Sequence, residues 1–162
     1  MLQRLLRIFS ARRAPTSVRR RPPQQRRRAR AVPLTPASGP VLVSYAPRSD
    51  GRADPGEVVW TTVPFEDDPA QGKDRPVLVI GRRGAWLSAL MLTSRSPGAG
   101  PNRVFMDVGR GPWDRQQRAS QVRLDRLLDI DPSQVRREGA ALDPAIFAKV
   151  LEAASRYLPE LR

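Results

Sequence analysis

Short β-type runs separated by turn residues fill the chain from residue 56 onward, and this spacing constrains the fold more than any other feature. Each run is rich in β-branched, aromatic or aliphatic residues and ends near glycine, proline or charged residues, which is typical of strands joined by short connections. We predict five strands, over residues 56–65, 75–82, 85–94, 103–109 and 119–125. Loops are predicted at 66–74, 95–102 and 110–117, with a hairpin turn at 82–84.

A helix is predicted near the end of the sequence. Asp143 is a suitable N-cap and Pro144 fits the first helical position. Six apolar residues then share one helical face, and Pro159 is expected to end the helix: Ile146, Phe147, Val150, Leu151, Ala154 and Leu158. A turn or short helix is also expected at 126–132. Short strands followed by one helix predict a mainly β fold, a small and strongly bent antiparallel barrel.

Charge divides the chain into two regions. Residues 1–55 contain 13 arginines and two acidic residues, a net charge of +11, whereas residues 56–162 carry a net charge of +2. Prolines and like charges oppose a packed fold, so we predict a mostly disordered arm over residues 1–54 and a folded domain over residues 55–162. The arm is either a solvated segment inflated by codon bias, or an arm that binds nucleic acid or an acidic membrane nonspecifically.

The composition excludes several kinds of chemistry. The chain has no cysteine and no histidine, which rules out disulfides, thiolate catalysis and histidine as a base or metal ligand. The acidic cluster Glu66, Asp67 and Asp68 lies in a predicted loop without a further ligand pattern, so no metal or cofactor is expected. The net charge of +13 favours polyanionic partners. Because no apolar run approaches ~20 residues and the N-terminus lacks a secretory pattern, a cytoplasmic protein is expected.

Four segments in a fixed order resemble the PemK/MazF toxins of type II toxin–antitoxin systems. They are "GEVVWTTVPF" as the opening strand, "KDRPVLVIG" with an Arg-Pro heading a buried strand, "LMLTS" ending in Thr-Ser, and "SQVRLDRLLDID" with an Arg-x-Asp pair. The resemblance covers residues 55–158 and leaves out the arginine-rich arm. It implies an SH3-like barrel that forms a homodimer and cleaves single-stranded RNA without a metal. It also implies an antitoxin partner whose acidic segment covers the RNA groove.

Arg75 is the first candidate for catalysis that the resemblance implies, as a contact to the scissile phosphate. Thr93 would orient that phosphate, with Ser94 beside it, and Lys73 and Arg95 are further candidates for RNA binding. A guanidinium at a strand end is rigidly placed and its fork matches phosphate oxygens. The alternative for Arg75 is a surface ion pair with Asp74 or the 66–68 acids. The alternative for Thr93 is an ordinary hydroxyl at a strand end.

The resemblance implies Arg123 and Asp125 as the second candidate pair for catalysis. Two residues apart in a strand, their side chains share one face, so one surface would hold a cation and an acid–base group. The alternative is an exposed pair leading into a capped helix. Trp113 either stacks on an RNA base or packs over the end of the barrel, whereas Trp60 and Trp86 are expected in the core.

The resemblance, together with these residues, implies an endoribonuclease that uses the 2′-hydroxyl of RNA as nucleophile. Two other functions stay open at this point. One is a barrel that binds nucleic acid without cleaving it. The other is a protein-interaction barrel, since folds of this type host unrelated functions.

Overall fold

The computed structural model describes residues 39–48, 50–94 and 104–161. It contains seven strands, one α-helix and two short 3₁₀ helices. The strands are β1 (Leu42–Val43), β2 (Glu57–Pro64), β3 (Gly72–Arg83), β4 (Trp86–Thr93), β5 (Phe105–Gly109), β6 (Ser120–Ile130) and β7 (Arg136–Ala141). The helix α1 spans Pro144–Ala154, and the 3₁₀ helices span Pro132–Gln134 and Pro159–Leu161.

All the strands belong to one antiparallel sheet. Its order is β5-β6-β4-β3-β2-β7, and β1 pairs with β3 beside this path. The predicted hairpin joins β3 to β4 through a two-residue turn in which Gly84 has φ 61°, a conformation that glycine adopts without strain. The mainly β antiparallel fold with a C-terminal helix is therefore confirmed. Among the described residues the pairings run from β5 to β7 without closing, so the SH3-like barrel stays a prediction.

Successive side chains of β3 point to opposite faces of the sheet and pack into two separate hydrophobic cores. Leu78 and Ile80 lie on the face that α1 covers, whereas Val77 and Val79 lie on the opposite face. All four are fully buried. This explains why the segment reads as a continuous apolar run, since a strand with both faces covered needs apolar residues at every position.

The helix begins as predicted and ends earlier. The Asp143 carboxylate accepts hydrogen bonds from the backbone N–H groups of Ala145 and Ile146, with Pro144 at the first turn. These bonds satisfy two donors that a helix start leaves open. The helix ends at Ala154, and Pro159 begins the final 3₁₀ helix instead of stopping α1.

Two strand boundaries differ from the predicted ones. β6 continues through residues 126–130, where a turn or short helix was expected, because Leu128 and Ile130 alternate into the second core and pair with Ala89 and Leu87 of β4. β3 begins at Gly72, inside the predicted 66–74 loop, because residues 72–74 continue the pairing with β2. The sequence pattern also did not predict β7.

The last part of the predicted arm, residues 39–48 and 50–54, is described and contains β1, whereas the division into an arm and a domain stays a prediction. Leu42 and Val43 pair with Arg82 and Gly81 of β3. A Cβ atom at Gly81 would lie 2.5 Å from the Leu42 carbonyl oxygen, so this approach requires glycine. The Tyr45 hydroxyl donates a hydrogen bond of 2.7 Å to the Leu142 carbonyl, which ties the same segment to the chain ahead of α1. Residues 1–38 lie outside the described part.

No helix in the described ranges is long and apolar enough to span a membrane.

Candidate nucleic-acid interface

Arg75 lies on β3 at the point where that strand extends beyond β4. β3 pairs with β2 from Gly72 onward, but its pairs with β4 begin only at Val77. Pro76, which has no backbone N–H to donate, therefore lies where one side of the strand becomes an edge. The Val77–Met91 pair places Arg75 and Thr93 two residues further toward the same edge and on the same face. The rigid sheet thus sets the relative position of the guanidinium and the hydroxyl.

Four of the predicted site residues line one pocket of about 310 Å³, which we call the Arg75 pocket: Lys73, Arg75, Thr93 and Ser94. Arg75 and Thr93 are half-buried, whereas Lys73 and Ser94 are exposed. These four side chains therefore lie close together around one pocket. Arg95, the remaining candidate from this segment, lies outside the described residues.

Asp114 and Arg118 also line the Arg75 pocket and were not predicted. Arg118 donates through Nε to Asp114 Oδ2 at 2.7 Å and through Nη2 to Oδ1 at 3.3 Å. The side-chain hydrogen bond from Arg118 is the main reason why the pKa of the buried Asp114 carboxyl is lowered. The pair adds a second, half-exposed guanidinium to the pocket wall. The only sequence signal for it was an acid and an arginine four residues apart in a loop.

Trp113 packs in the interior, the second of the two roles considered for it, so its ring is not available to stack on an RNA base. The side chain is only 4% exposed, belongs to the core beneath α1, and donates from Nε1 to Ser120 Oγ at 3.2 Å. A Cβ atom at Gly111 would lie 2.1 Å from its ring, so glycine there lets the chain pass over the indole. Trp60 donates from Nε1 to the Trp113 carbonyl and lines the Arg75 pocket while partly exposed, so it is not purely a core residue. Trp86 is also only partly buried.

A second pocket of about 240 Å³, the Arg123 pocket, lies on the other side of Arg75. Arg75 lines both pockets, and Arg123, Arg126 and Glu66 line the second. Arg75 is thus the residue that connects the first predicted cluster to the second. Asp125 is part of the lining of neither pocket and joins the site through its ion pair with Arg123.

Arg123 and Asp125 share one face, as predicted. Arg123 donates through Nε to Asp125 Oδ1 at 2.6 Å and through Nη2 to Oδ2 at 3.2 Å, and it also binds the carboxylate of Glu66. The hydrogen bond with Asp125, the larger effect, and that with Glu66 raise the pKa of Arg123. The hydrogen bond from Arg123 lowers the pKa of Asp125. Asp125 caps no helix, since β6 continues to Ile130.

Three of the acids considered as partners for Arg75 also bind other groups. Asp74 pairs with Arg136 of β7, Glu66 pairs with Arg123, and Asp68 accepts a hydrogen bond of 2.6 Å from the Gln71 side chain.

Comparisons with known proteins identify the family of the chain. A family model for PemK-like, MazF-like toxins of type II toxin–antitoxin systems matches residues 54–158. A crystal structure of MazE-MazF (form II) from Deinococcus radiodurans is similar at 25% identity and a TM-score of 0.46, covering 66% of this chain and 96% of that chain. No curated protein matches the chain. Since the family model spans well over half of the sequence and includes both pockets, the chain belongs to the PemK-like, MazF-like toxins of type II toxin–antitoxin systems.

Proposed function

We propose that the protein is an endoribonuclease toxin that cleaves single-stranded RNA without a metal ion. The observation that carries the proposal is the position of Arg75, which lines two adjoining pockets together with Thr93 on one side and Arg123 on the other. A single RNA backbone crossing this edge of the sheet would meet a hydroxyl and several guanidinium groups in succession. Phosphate oxygens fit the planar fork of arginine.

The proposed reaction uses a nucleophile that RNA supplies itself. The 2′-oxygen loses its proton and bonds to the adjacent phosphorus, and the bond from phosphorus to the 5′-oxygen breaks. The 5′-oxygen takes up a proton, so the products carry a 2′,3′-cyclic phosphate and a 5′-hydroxyl. Arg75 would stabilise the negative charge that develops on the phosphorane, with Thr93 orienting a phosphate oxygen. Preorganised donors of this kind contribute several kcal/mol to the stabilisation of a transition state.

The pKa shifts support an electrostatic part for Arg123 and a positioning part for Asp125. An efficient general acid or base has a pKa near the working pH. The pKa of Arg123 is raised and that of Asp125 is lowered, each mainly by their mutual hydrogen bond, so both move away from neutrality. We therefore assign Arg123 to electrostatic stabilisation and Asp125 to holding the guanidinium in place. Asp125 would act as a base only weakly.

The family description supplies the expected partner, an antitoxin, and its acidic segment would bind the same arginine-lined edge. A homodimer of SH3-like barrels is part of the same proposal, since open sheets have edges that favour pairing.

The test compares Arg75→Ala with wild type on single-stranded RNA in the presence of EDTA. We expect a loss of cleavage of about 10²-fold to 10³-fold, the range for removing one transition-state donor. Arg156→Ala is a matched control, because Arg156 follows α1 and its side chain is 71% exposed. Cleavage that survives Arg75→Ala, or intact RNA with the wild-type protein, would contradict the proposal.

A second candidate is a toxin-like protein that binds RNA without cleaving it. The observation in its favour is that two carboxylates already hold Arg123, one of them from an exposed loop. Stoichiometric binding of RNA by the wild type, without any product in EDTA or in magnesium, would select this function.

A further inference from the structure

Three arginines surround the Arg123 pocket, and one acidic side chain holds two of them. Arg75, Arg123 and Arg126 all line it. Glu66 binds Arg123 through both carboxylate oxygens, and its Oε1 lies 3.6 Å from Nη1 of Arg126. A carboxylate bridging two guanidinium groups occupies the position that a phosphate group would take between them, since both anions accept from the same donor fork.

The arginines and the carboxylate of this bridge differ in burial. The side chains of Arg123 and Arg126 are each 21% exposed, whereas that of Glu66 is 56% exposed. Beyond Glu66, the acceptors for these arginines are Asp125 and the Pro64 carbonyl, which Arg126 Nη2 reaches at 3.0 Å. The two guanidinium groups are therefore held on the sheet by Asp125 and the Pro64 carbonyl, whereas the Glu66 carboxylate that joins them is on the exposed side.

The loop that carries Glu66 is closed at its base. The Phe65 N–H donates to the Gln71 carbonyl at 2.9 Å, and the Gln71 N–H donates to the Asp68 carbonyl at 3.0 Å. Glu66 lies just inside this closure, so its side chain can leave the arginines by rotation about its own bonds while the base of the loop keeps its hydrogen bonds. Asp67, its neighbour, also lines the pocket. No ion pair joins Asp67 to either arginine in the part of the chain that the structure describes.

We propose that Arg123 and Arg126 form a second phosphate subsite for RNA, next to the subsite at Arg75, and that Glu66 occupies it until an RNA phosphate displaces the carboxylate. The inference rests on the proposed function, because it takes RNA as the ligand of this edge. It goes beyond it by assigning Arg126 to RNA binding and Glu66 to competition with the substrate. Binding at this subsite is an exchange of one anion for another, and no covalent bond changes.

The test measures binding of a single-stranded RNA in which every 2′-oxygen is methylated, so that cleavage through the 2′-oxygen cannot occur. We expect Glu66→Gln to bind this RNA about threefold to fivefold more tightly than wild type at low salt, the upper end of the scale of a lost ion pair near the surface. Asp67→Asn removes the same charge from the adjacent residue and should change the affinity by less than about twofold, since exposed charges further from the phosphate are screened.

Arg126 supplies the second arm of the test. In the double variant Glu66→Gln, Arg126→Ala the gain should disappear, because the guanidinium that Glu66 released is no longer present. Arg126→Lys, with thermal unfolding as a check on folding, replaces Arg126→Ala if the alanine variant is unstable. It should retain only part of the gain, since lysine lacks the fork.

Each outcome decides the inference. Equal gains for Glu66→Gln and Asp67→Asn would mean that only the total charge of the loop matters, and this would overturn the inference. A gain in affinity that persists without Arg126 would overturn it as well. No binding of the methylated RNA by any variant would also overturn it. Tight binding with the expected pattern, but no cleavage of unmodified RNA, would support the subsite and overturn only the nuclease activity.

Discussion

Two arginine–carboxylate clusters lie at different ends of the sheet, and they differ in how exposed the acidic partner is. At the end of β3, Arg83 Nη1 lies 3.0 Å from Asp129 Oδ2 of β6, and the two side chains are 12% and 10% exposed. Ser88 of β4 donates a further hydrogen bond to Asp129 at 3.3 Å. Near the start of β3, Arg123 is just as firmly paired with Asp125, but its other partner is the exposed Glu66.

The difference in exposure separates an ion pair that is enclosed by the fold from one whose acidic partner can exchange with solvent. Asp129 is carried on a strand and its side chain is only 10% exposed, so removing it would take the carboxylate away from a largely buried guanidinium, which is costly. A carboxylate on a loop loses little when it exchanges its arginine for water. We therefore propose that the same two chemical groups serve stability at one end of the sheet and recognition of RNA at the other.

The largest expected effect is a loss of stability at the buried Arg83 cluster, and it would sharpen this comparison. Asp129→Ala should lower the free energy of unfolding by about 3 kcal/mol or more, because it leaves the guanidinium of Arg83 largely enclosed without its carboxylate. Urea denaturation measures this loss. A change under about 1 kcal/mol would mean that the two clusters do not differ as their burial indicates.

Arg123→Ala should give the opposite pattern. We expect cleavage of RNA to fall about 100-fold, the scale of one lost electrostatic contact in a transition state. The free energy of unfolding should fall by about 1 kcal/mol or less, since Glu66 and Asp125 both reach solvent. Single-turnover cleavage and urea denaturation on the same preparation separate the two effects. A large loss of stability with unchanged cleavage would break the comparison.

The smallest effect concerns acid stability. The pKa of Asp125 is lowered in the folded state, chiefly by the hydrogen bond from Arg123. A lowered folded-state pKa contributes stability above the unfolded-state value of about 3.9, and this contribution is lost as the pH falls through the folded-state pKa. Wild type should therefore exceed Asp125→Asn in unfolding free energy at neutral pH, and the gap should close below about pH 4. A gap that is constant from neutral pH into acid would contradict the assignment.

Local patterns predicted much of the sheet and the start of the helix. β2, β4, β5 and the apolar centre of β3 follow from alternation and turn residues, and Asp143–Pro144 marks the helix start. β7 was missed because "RREGAA" has little intrinsic preference for a strand, and its pairing with β2 decides its structure. The continuation of β6 was missed because "RLLDI" reads as a helical turn until its pairing with β4 is known.

The site, too, has residues that the sequence predicted and residues that it did not. Arg75, Thr93 and Ser94 of the Arg75 pocket were predicted from an Arg-Pro and a Thr-Ser segment whose order along the chain resembles a family. The role of Glu66 had no such signal, because its bond to Arg123 joins residues 57 positions apart. A charge run in a loop is ordinarily a solvated surface, and only the folded structure shows which acid meets which arginine.

The ends of the RNA products test the central claim most directly. Wild-type protein is incubated with single-stranded RNA in EDTA, and the fragments are analysed by mass spectrometry. If Arg75 and its neighbours promote attack by the 2′-hydroxyl, each upstream fragment carries a 2′,3′-cyclic phosphate, each downstream fragment carries a 5′-hydroxyl, and Arg75→Ala yields neither. Fragments with 3′-hydroxyl and 5′-phosphate ends, or RNA left intact by the wild type, would contradict the account.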